Sequence, residues 1–322
     1  MTAFHTADGA EVVSVAHALA TPLRSVGLQV WRGALLLADY VLHLASQQRS
    51  QHGSGGAFCA APLRLLCCTA LELGAGSGLA GLVLSAFARR VYLTDTGGEV
   101  LANCQLNAQR HLHRAAPPPG SSGGDASRGA SGRDRSGGDR SGVCVRQLDW
   151  LDPPDWLLPP EQQEQAQQQE QQQQRGQGLA LELAKQQEQQ RGGDAGGTYG
   201  WSQADRQELQ QVDLLLAADP VYEDVLTESF MRSATLLMRY AGRHSGRRAR
   251  LLVALERRVV FTIVEQRAAA PVYDYWRTRF EAEGSRLAPL AAASSGAVLA
   301  ALLGAKQQQR LRRLPFRWWG AA

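Results

Sequence analysis

The sequence predicts an α/β fold built on parallel strands, and two observations lead to that prediction. The stretch Thr69–Asp95 passes from a short apolar segment into glycines, then into apolar residues at helical spacing, and then into a second apolar segment. Further along, Val212–Asp219 and Arg250–Glu256 are nearly unbroken apolar runs. Such runs are typical of parallel strands that are buried on both faces.

The glycine turn after the first of these strands predicts a ligand site. Glycines let the backbone approach a ligand closely, and the N-terminus of the following helix faces the same point. Asp95 ends the second strand, where a carboxylate suits ribose hydroxyls. A glycine-rich turn without a ligand is the alternative. The agreement of the glycines, the strand context and Asp95 favours the nucleotide-type site.

The register of the glycines separates two classes of cofactor. The run Gly76–Gly81 fits the dinucleotide pattern G-x-G-x-x-G, but it begins two residues after the strand has turned at Gly74. Counted from Gly74, the loop is G-x-G-x-G and has Glu72 on the strand just before it, which resembles the first motif of class I S-adenosylmethionine-dependent methyltransferases. A pyrophosphate gains nothing from that carboxylate, whereas the amino and sulfonium groups of S-adenosylmethionine are cationic. We therefore expect S-adenosylmethionine as the cofactor.

Composition indicates one domain interrupted by two insertions. The chain has 322 residues, of which 44% are hydrophobic, which supports a substantial core. One segment rich in Pro, Gly, Ser and Arg and another rich in Gln and Glu have no apolar period. We predict an N-terminal extension at residues 1–27, a single domain formed by residues 28–114, 143–151 and 209–322, a disordered insertion at 115–142, and a Gln-rich disordered insertion at 152–208.

Charge and cysteine usage narrow the class of protein. The formal net charge is +4, but only two of the 34 basic residues are lysines, Lys185 and Lys306, and no basic block interleaved with aromatic residues stands out. The five cysteines form an odd set without metal-ligand spacing. Neither a secretion signal nor a stretch of about 20 apolar residues is recognisable. We expect an intracellular protein with reduced thiols, no metal and no membrane span.

Two further segments contribute candidate site residues. Val30–Leu44 is predicted to be a helix, and Trp31 at its start is either a core residue or a neighbour of the cofactor. Val143–Leu148 is predicted to be a strand that ends on Asp149 and Trp150. A carboxylate and an indole at that position suit an adenine ring, although a strand-end Asp can also cap a turn. The strand order favours the adenine site.

The remaining predicted elements lie away from the site. On the helix that follows the second strand, Asn103 and Asn107 are four residues apart and are expected to face solvent. Near the end of the sequence, Val272–Phe280 predicts a helix. Ala297–Leu303 and Arg310–Trp318 predict a closing antiparallel pair of strands.

Four motifs in order resemble one known family. They are Trp31–Ala34, Leu71–Leu79, Leu148–Trp150 and Asp219–Tyr222. Together they look like the seven-β-strand protein-lysine methyltransferases of methyltransferase family 16, and the resemblance covers about two thirds of the chain. The glycine motif specifies only the class of cofactor. The D-x-x-Y motif after the fourth strand is the more specific mark of the family.

The resemblance implies a fold, an activity and roles for named residues. The fold is a doubly wound, mostly parallel, seven-stranded Rossmann-like sheet of the class I S-adenosylmethionine-dependent methyltransferase type, with a reversed final strand. The activity is methyl transfer to a lysine ε-amine of a protein substrate, in the nucleus or cytoplasm. Nucleic acid is not expected as a direct substrate, and any contact with it is expected through the substrate complex. The implied cofactor-binding residues are Trp31, Glu72, Gly74, Ala75, Gly76, Gly78, Asp95, Asp149, Trp150 and Ala218. Asp219 would orient the amine and stabilise its developing charge, and Tyr222 would form an aromatic wall.

One departure from the family pattern leaves alternatives open. Pro220 makes the last motif Asp-Pro-Val-Tyr, which is close to the Asp/Asn-Pro-Pro-Tyr signature of enzymes that methylate the exocyclic amine of adenine or the amide of glutamine. Val221 stands where those enzymes have their second proline. Nucleic-acid or glutamine N-methylation is therefore the first alternative. A catalytically silent cofactor-binding module is the second, and the presence of both Asp219 and Tyr222 argues against it.

Overall fold

The computed structural model describes residues 1–6, 8–52, 65, 67–115, 142–164, 197–245, 249–262, 266–282, 287–292 and 297–302. The strands are β1 (Thr2–His5), β2 (Glu11–Val15), β3 (Thr69–Leu73), β4 (Arg90–Asp95), β5 (Val143–Gln147), β6 (Leu214–Ala218), β7 (Arg250–Glu256), β8 (Val260–Thr262), β9 (Arg267–Ala269), β10 (Leu287–Ala292) and β11 (Ala297–Leu302). The helices are α1 (Arg32–His52), α2 (Leu79–Ser85), α3 (Gly98–Ala115), α4 (Gln203–Leu209), α5 (Asp224–Ser245) and α6 (Pro271–Ala282), with 3₁₀ turns at Leu23–Leu28 and Asp155–Leu157.

A seven-stranded sheet in the order β10-β11-β7-β6-β3-β4-β5 organises these elements. The central strand β3 pairs in parallel with β4 and with β6, and the parallel pairing extends to β5 and β7. The last strand, β11, runs antiparallel to both β7 and β10. The prediction of a doubly wound, mostly parallel, seven-stranded sheet with a reversed final strand is confirmed.

Both faces of the sheet are covered, which explains why its central strands are apolar. Successive side chains of a strand point to opposite faces. On β3, Ala70 packs with residues of α1, α2 and α3, whereas Leu71 and Leu73 pack with residues of α4, α5 and α6. All five residues of β3 are therefore buried.

The residues predicted to form an N-terminal extension, 1–27, begin with a folded segment that packs on the domain. β1 and β2 form an antiparallel hairpin. In β2 the side chains alternate, and Val13 and Val15 are buried in the same hydrophobic cluster as α2 and α3. The burial of β2 against two helices holds the N-terminal segment to the domain.

The second insertion is shorter than the predicted 152–208. Leu157 is fully buried, and the rings of Trp156 and Trp201 lie 5.5 Å apart. Helix α4 begins with a capping box formed by Ser202 and Asp205. The aromatic and apolar residues that flank the Gln-rich tract therefore pack on the domain. Residues 116–141 and 165–196 lie outside the described part of the chain, and their disorder stays a prediction.

The last described elements form the edge of the sheet beyond β7. Helix α6 confirms the helix expected at Val272–Phe280, and β11 confirms a strand that begins at Ala297. The neighbours of β11 are β7 and β10, and Arg310–Trp318, its predicted partner, lies outside the described residues. β10 was missed because its sequence, LAPLAA, contains a proline and alanines, which are depleted in strands.

Candidate functional site

A cleft lies at the carboxyl edge of the sheet, beside β3. The chain passes from β3 outward to β5 and returns to β6 on the other side of β3, and a crevice forms where the strand order reverses. Ten of the predicted site residues line this cleft: Trp31, Gly74, Ala75, Gly76, Asp95, Asp149, Trp150, Ala218, Asp219 and Tyr222. The structure thus brings together residues from five separate stretches of sequence.

The glycine loop leaves no room for side chains along one wall of the cleft. Gly74 and Gly76 both have positive φ, at 66° and 54°. A Cβ atom at Gly74 would lie 2.9 Å from the ring of Trp150, and one at Gly76 would lie 2.7 Å from the carbonyl oxygen of Gly27. Both positions therefore require glycine, for the backbone conformation and for the close approach of neighbouring groups.

Asp95 fixes this loop and still has capacity to bind a ligand. Its Oδ2 accepts a hydrogen bond from the Gly76 N–H at 2.7 Å, and its Oδ1 accepts one from the Thr96 N–H at 2.7 Å. Burial raises the pKa of Asp95, and these two N–H groups oppose that shift. Each carboxylate oxygen has two lone pairs. Asp95 can therefore hold the loop and accept from hydroxyl groups of a ligand at the same time.

Glu72 and Gly78, two of the predicted cofactor-binding residues, do not line the cleft but lie behind the loop. Glu72 is only 1% exposed, and its Oε2 accepts a hydrogen bond from the Gly81 N–H at 2.8 Å. Burial raises the pKa of Glu72 to about 8, against the opposing effect of that N–H. The Gly81 N–H is one of the donors in the first turn of α2 that have no partner within the helix. Gly78 is buried as the N-cap of the same helix. Both residues thus shape the loop from below.

Trp150 and Asp149 lie at the end of the cleft predicted to take an adenine. The ring of Trp150 packs against Gly74 on one side and lies 5.3 Å from the ring of Phe230. Asp149 lines the cleft, and its Oδ1 accepts a hydrogen bond from the Leu151 N–H at 2.9 Å. Asp149 therefore caps a turn, as the alternative had it, and also faces the cleft.

Asp219 bridges two elements that are distant in sequence. Its Oδ2 accepts a hydrogen bond from the Gly33 N–H in the first turn of α1, and its Oδ1 accepts one from the Glu256 N–H at the end of β7, each at 2.6 Å. Burial raises the pKa of Asp219, and the Glu256 and Gly33 N–H groups oppose the shift. Its φ of 48° lies in the left-handed region, which Asp tolerates better than most residues.

The opposite wall of the cleft carries aromatic rings. Tyr222 lines the cleft and is 39% exposed, so its ring is accessible from solvent. The Nε1 of Trp31 donates a hydrogen bond to the Val26 carbonyl oxygen at 3.2 Å, and the Arg258 guanidinium lies 5.0 Å from the centroid of the Trp31 ring. Trp31 is therefore a neighbour of the cleft rather than a core residue.

Two features of the site were not predicted from the sequence: the wall of the cleft formed by N-terminal residues, and the burial of Asn107, which binds that segment. Val26, Gly27 and Gln29 line the cleft although they precede the first predicted motif. Asn107, expected to face solvent, is fully buried. Its position three residues after the buried Cys104 places it on the apolar face of α3, and that spacing is the signal that could have found it.

The strand order and the glycine loop define the fold, which is the α/β fold of the class I S-adenosylmethionine-dependent methyltransferases. Comparison with known proteins adds a resemblance to one family. Residues 18–116 match a family model described as a lysine methyltransferase. The resemblance inferred from the four motifs is thereby confirmed.

Two curated relatives carry the same resemblance along most of the chain. Methyltransferase-like protein 22 of Homo sapiens is 30% identical over 269 residues, covering 83% of this chain and 47% of the relative. Methyltransferase-like protein 22 of Mus musculus is 29% identical over 272 residues, covering 84% and 49%. The chain thus spans about half the length of the curated relatives it matches.

Solved structures show a more distant likeness. A magnesium protoporphyrin IX methyltransferase from Synechocystis PCC 6803, crystallised with bound SAH, aligns with a TM-score of 0.39 and 13% identity, over 84% of this chain and 82% of its own. The fold assignment rests on the strand order of this protein rather than on that likeness.

Proposed function

We propose that this chain is an S-adenosylmethionine-dependent N-methyltransferase that acts on a lysine side chain of another protein. The observation that carries the proposal is a single cleft that joins the glycine loop and the Asp95 and Asp149 carboxylates to the Asp219–Tyr222 motif. The description of the matching family model supports lysine as the acceptor. An intracellular location, in the nucleus or cytoplasm, is part of the proposal.

The residues of the cleft suit the proposed cofactor. Gly74 and Gly76 line the cleft, and because a Cβ atom would clash with Trp150 or Gly27, the loop presents bare backbone to a ligand. Asp95 has spare acceptor capacity for ribose hydroxyls, and Trp150 offers an apolar surface for a planar ring. When bound, S-adenosylmethionine supplies an electrophilic methyl group on a cationic sulfur. The carboxylates around the cleft favour that positive charge.

The residues on the other side of the cleft prepare the amine that accepts the methyl group. A free lysine has a pKa of about 10.4 and is almost wholly protonated at neutral pH. Transfer from solvent into the cleft and the adjacent sulfonium both disfavour the charged form. The amine therefore loses its proton to solvent before its nitrogen attacks the methyl group and the carbon–sulfur bond breaks. The exposed ring of Tyr222 can then form a wall beside the amine, attractive to cations, and alignment in the cleft lowers the barrier further.

Asp219 contributes charge as well as structure in this proposal. Both of its oxygens already accept backbone N–H groups, and each has a second lone pair. A half-buried carboxylate held in this way is preorganised, because the backbone fixes its position before any substrate arrives. It therefore stabilises the positive charge that develops on the nitrogen during transfer.

The substrate class can be tested by following a labelled methyl group. Purified protein is incubated with radiolabelled S-adenosylmethionine and a cell extract, and parallel samples are treated with nuclease or protease. We expect label that survives nuclease, is lost to protease and is recovered as methyl-lysine after hydrolysis. The Tyr222→Ala variant should transfer little label, whereas Tyr222→Phe, which keeps the ring, should retain most of it.

The other outcomes of this experiment each contradict the proposal in a different way. Label lost to nuclease, or recovered on glutamine, would establish the first alternative acceptor. No transfer by a protein that binds S-adenosylhomocysteine would establish the silent module.

Within the described residues, no helix is both long and apolar enough to cross a membrane.

A further inference from the structure

Asn107 lies where three segments of the protein meet. Its side chain is fully buried in the middle of α3. Its Oδ1 accepts a hydrogen bond from the Ala16 N–H at 2.7 Å. Its Nδ2 donates to the Ala16 carbonyl oxygen at 3.0 Å and to the Ser77 carbonyl oxygen at 2.9 Å. One amide group therefore joins the N-terminal segment to the glycine loop.

The three partners fix both the residue type and its orientation. Asn107 faces two carbonyl oxygens and one N–H group, so it must present two donor hydrogens and one acceptor. The opposite orientation of the amide would set its NH₂ group against the Ala16 N–H. Asp would place acceptors against both carbonyl oxygens, and Ala would leave the Ser77 carbonyl without this donor.

The segment bound by Asn107 is one wall of the cleft, and we name residues 16–31 the strap. The Ala18 N–H donates to the Leu28 carbonyl oxygen at 2.8 Å, which closes the strap on itself. Holding Ala16 in place therefore also restricts the other end of the strap, where Val26 and Gly27 line the cleft.

The strap touches the glycine loop directly at that far end. The Gly27 carbonyl oxygen lies 2.7 Å from the position that a Cβ of Gly76 would occupy. A second attachment is the hydrogen bond from the Ser25 Oγ to Glu99 at 3.3 Å, at the start of α3. The strap and the loop are thus two walls of the cleft that contact each other at Gly27 and Gly76. Asn107 binds both of them to helix α3.

We propose that Asn107 is a positioning residue that fixes the spacing between the strap and the glycine loop, and so sets the affinity and the residence time of the adenosyl cofactor. The inference rests on the proposed function, because it assumes that this cleft binds S-adenosylmethionine. Asn107 does not line the cleft and acts through Ala16 and Ser77.

Asn103 provides a matched control one helical turn away. Its Nδ2 donates to the same Ala16 carbonyl oxygen, also at 3.0 Å. Within the described residues, this hydrogen bond reaches the strap but not the glycine loop. Asn103→Ala therefore removes one contact to the strap and leaves the Asn107 bridge intact. Asn107→Ala and Asn107→Asp remove the donor that joins Ala16 to Ser77, so the Ala16 carbonyl oxygen keeps its Asn103 hydrogen bond but the strap is no longer tied to the glycine loop through this side chain.

The test compares binding of S-adenosylhomocysteine by these variants, at a temperature well below their melting temperatures. We expect Asn107→Asp and Asn107→Ala to raise the dissociation constant at least about tenfold, and Asn103→Ala to raise it less than about threefold. Stopped-flow tryptophan fluorescence should show faster dissociation from the Asn107 variants, because Trp31 and Trp150 line the cleft. A residue that only stabilised the fold would lower the melting temperature without changing these constants.

Two results overturn the inference, and they are distinguishable. Unchanged affinity and dissociation rate in folded Asn107 variants would overturn it while leaving the proposed function intact. A wild-type protein that does not bind S-adenosylhomocysteine would overturn the proposed function and this inference with it.

Hydrogen exchange on the wild-type protein gives a second test if the Asn107 variants do not fold. We expect S-adenosylhomocysteine to slow amide exchange in residues 16–31 and 74–78 together, and to leave β1 unchanged. Protection of the glycine loop without protection of the strap would overturn the inference.

Discussion

Two carboxylates at the same edge of the sheet differ in the origin of their hydrogen-bond partners. Asp95 ends β4 and Asp219 follows β6, the strands on either side of β3. Both line the cleft, both accept two backbone hydrogen bonds, and burial raises the pKa of each. The partners of Asp95 are Gly76 and Thr96, within its own strand–loop unit. Asp219 instead binds backbone groups 186 and 37 residues away in sequence.

This difference separates a locally built half of the cleft from an assembled half. The half around Asp95 is formed by one continuous stretch, β3 to β4, so losing its carboxylate should chiefly affect the ligand. The half around Asp219 exists only when α1, β6 and β7 have come together. Losing the Asp219 carboxylate should therefore affect both stability and methyl transfer.

The largest effect is expected from Asp219→Asn. The asparagine NH₂ group must face the N–H of either Gly33 or Glu256, so a buried donor loses its acceptor at a cost of about 1–3 kcal/mol. The negative charge is lost as well, which should lower the methylation rate about a hundredfold. Asparagine tolerates the left-handed backbone at this position, so the backbone adds little strain. Urea unfolding and label transfer on the same preparation measure the two effects.

Two outcomes would contradict this prediction in separate ways. Wild-type methyl transfer per folded molecule would remove Asp219 from the chemistry and leave it as a structural bridge. An unchanged free energy of unfolding would show that the hydrogen bond lost in Asp219→Asn contributes nothing to stability, which would contradict the contrast drawn with Asp95.

A smaller and more selective effect is expected from Asp95→Ala. Hydrogen bonds to a charged group are worth about 1.5–3 kcal/mol, so affinity for S-adenosylhomocysteine should fall roughly ten- to a hundredfold. The free energy of unfolding should fall less than in Asp219→Asn, because the partners of Asp95 already lie in the same loop. Calorimetric titration and urea unfolding together test this contrast. Equal losses of stability in the two variants would refute it.

The buried carboxyl of Glu72 predicts a pH dependence of stability. Its pKa is raised to about 8 by burial, from an ordinary value of 4.5. Between these values the folded state binds more protons than the unfolded state, so stability falls as the pH rises from about 5 through 8. Glu72→Gln, which keeps an acceptor for the Gly81 N–H, should make the unfolding free energy less dependent on pH in that range. Parallel pH slopes for the two proteins would contradict the prediction.

The smallest effect is expected from shortening the Gln-rich insertion, which belongs to neither half of the cleft. Replacing residues 165–196 with a short Gly/Ser linker keeps Trp156 and Trp201, whose rings lie 5.5 Å apart. Loop closure changes by only about 0.6 kcal/mol for each doubling of loop length. Melting temperature and affinity for S-adenosylhomocysteine should therefore change little. A large fall in melting temperature would show that the tract packs on the domain.

The same contrast explains what could be predicted from the sequence. The strand, glycine loop and Asp95 lie within 27 consecutive residues, Thr69–Asp95, and local pattern was enough to place them in one cleft. Asp219 was placed at the correct strand end, but its bonds to Gly33 and Glu256 depend on strand order and helix position, which no local pattern contains.

Misassigned residues share one physical cause: each depends on a distant partner or on which face of an element is buried. Asn107 is polar and would face solvent on an isolated helix, but the strap covers it and satisfies its amide. Glu72 precedes the loop in sequence, but the alternation of side chains along β3 directs it toward α2 rather than into the cleft. β2 was too short for its alternation to stand out.

The central claim is that this cleft binds an adenosyl sulfonium cofactor, and calorimetric titration of the wild-type chain tests it most directly. S-adenosylhomocysteine and NAD are titrated separately into the same preparation, with Asp95→Ala as the matched variant. We predict one-to-one binding of S-adenosylhomocysteine, weakened by Asp95→Ala, and no binding of NAD. Tight binding of NAD, with no binding of S-adenosylhomocysteine, would contradict the account.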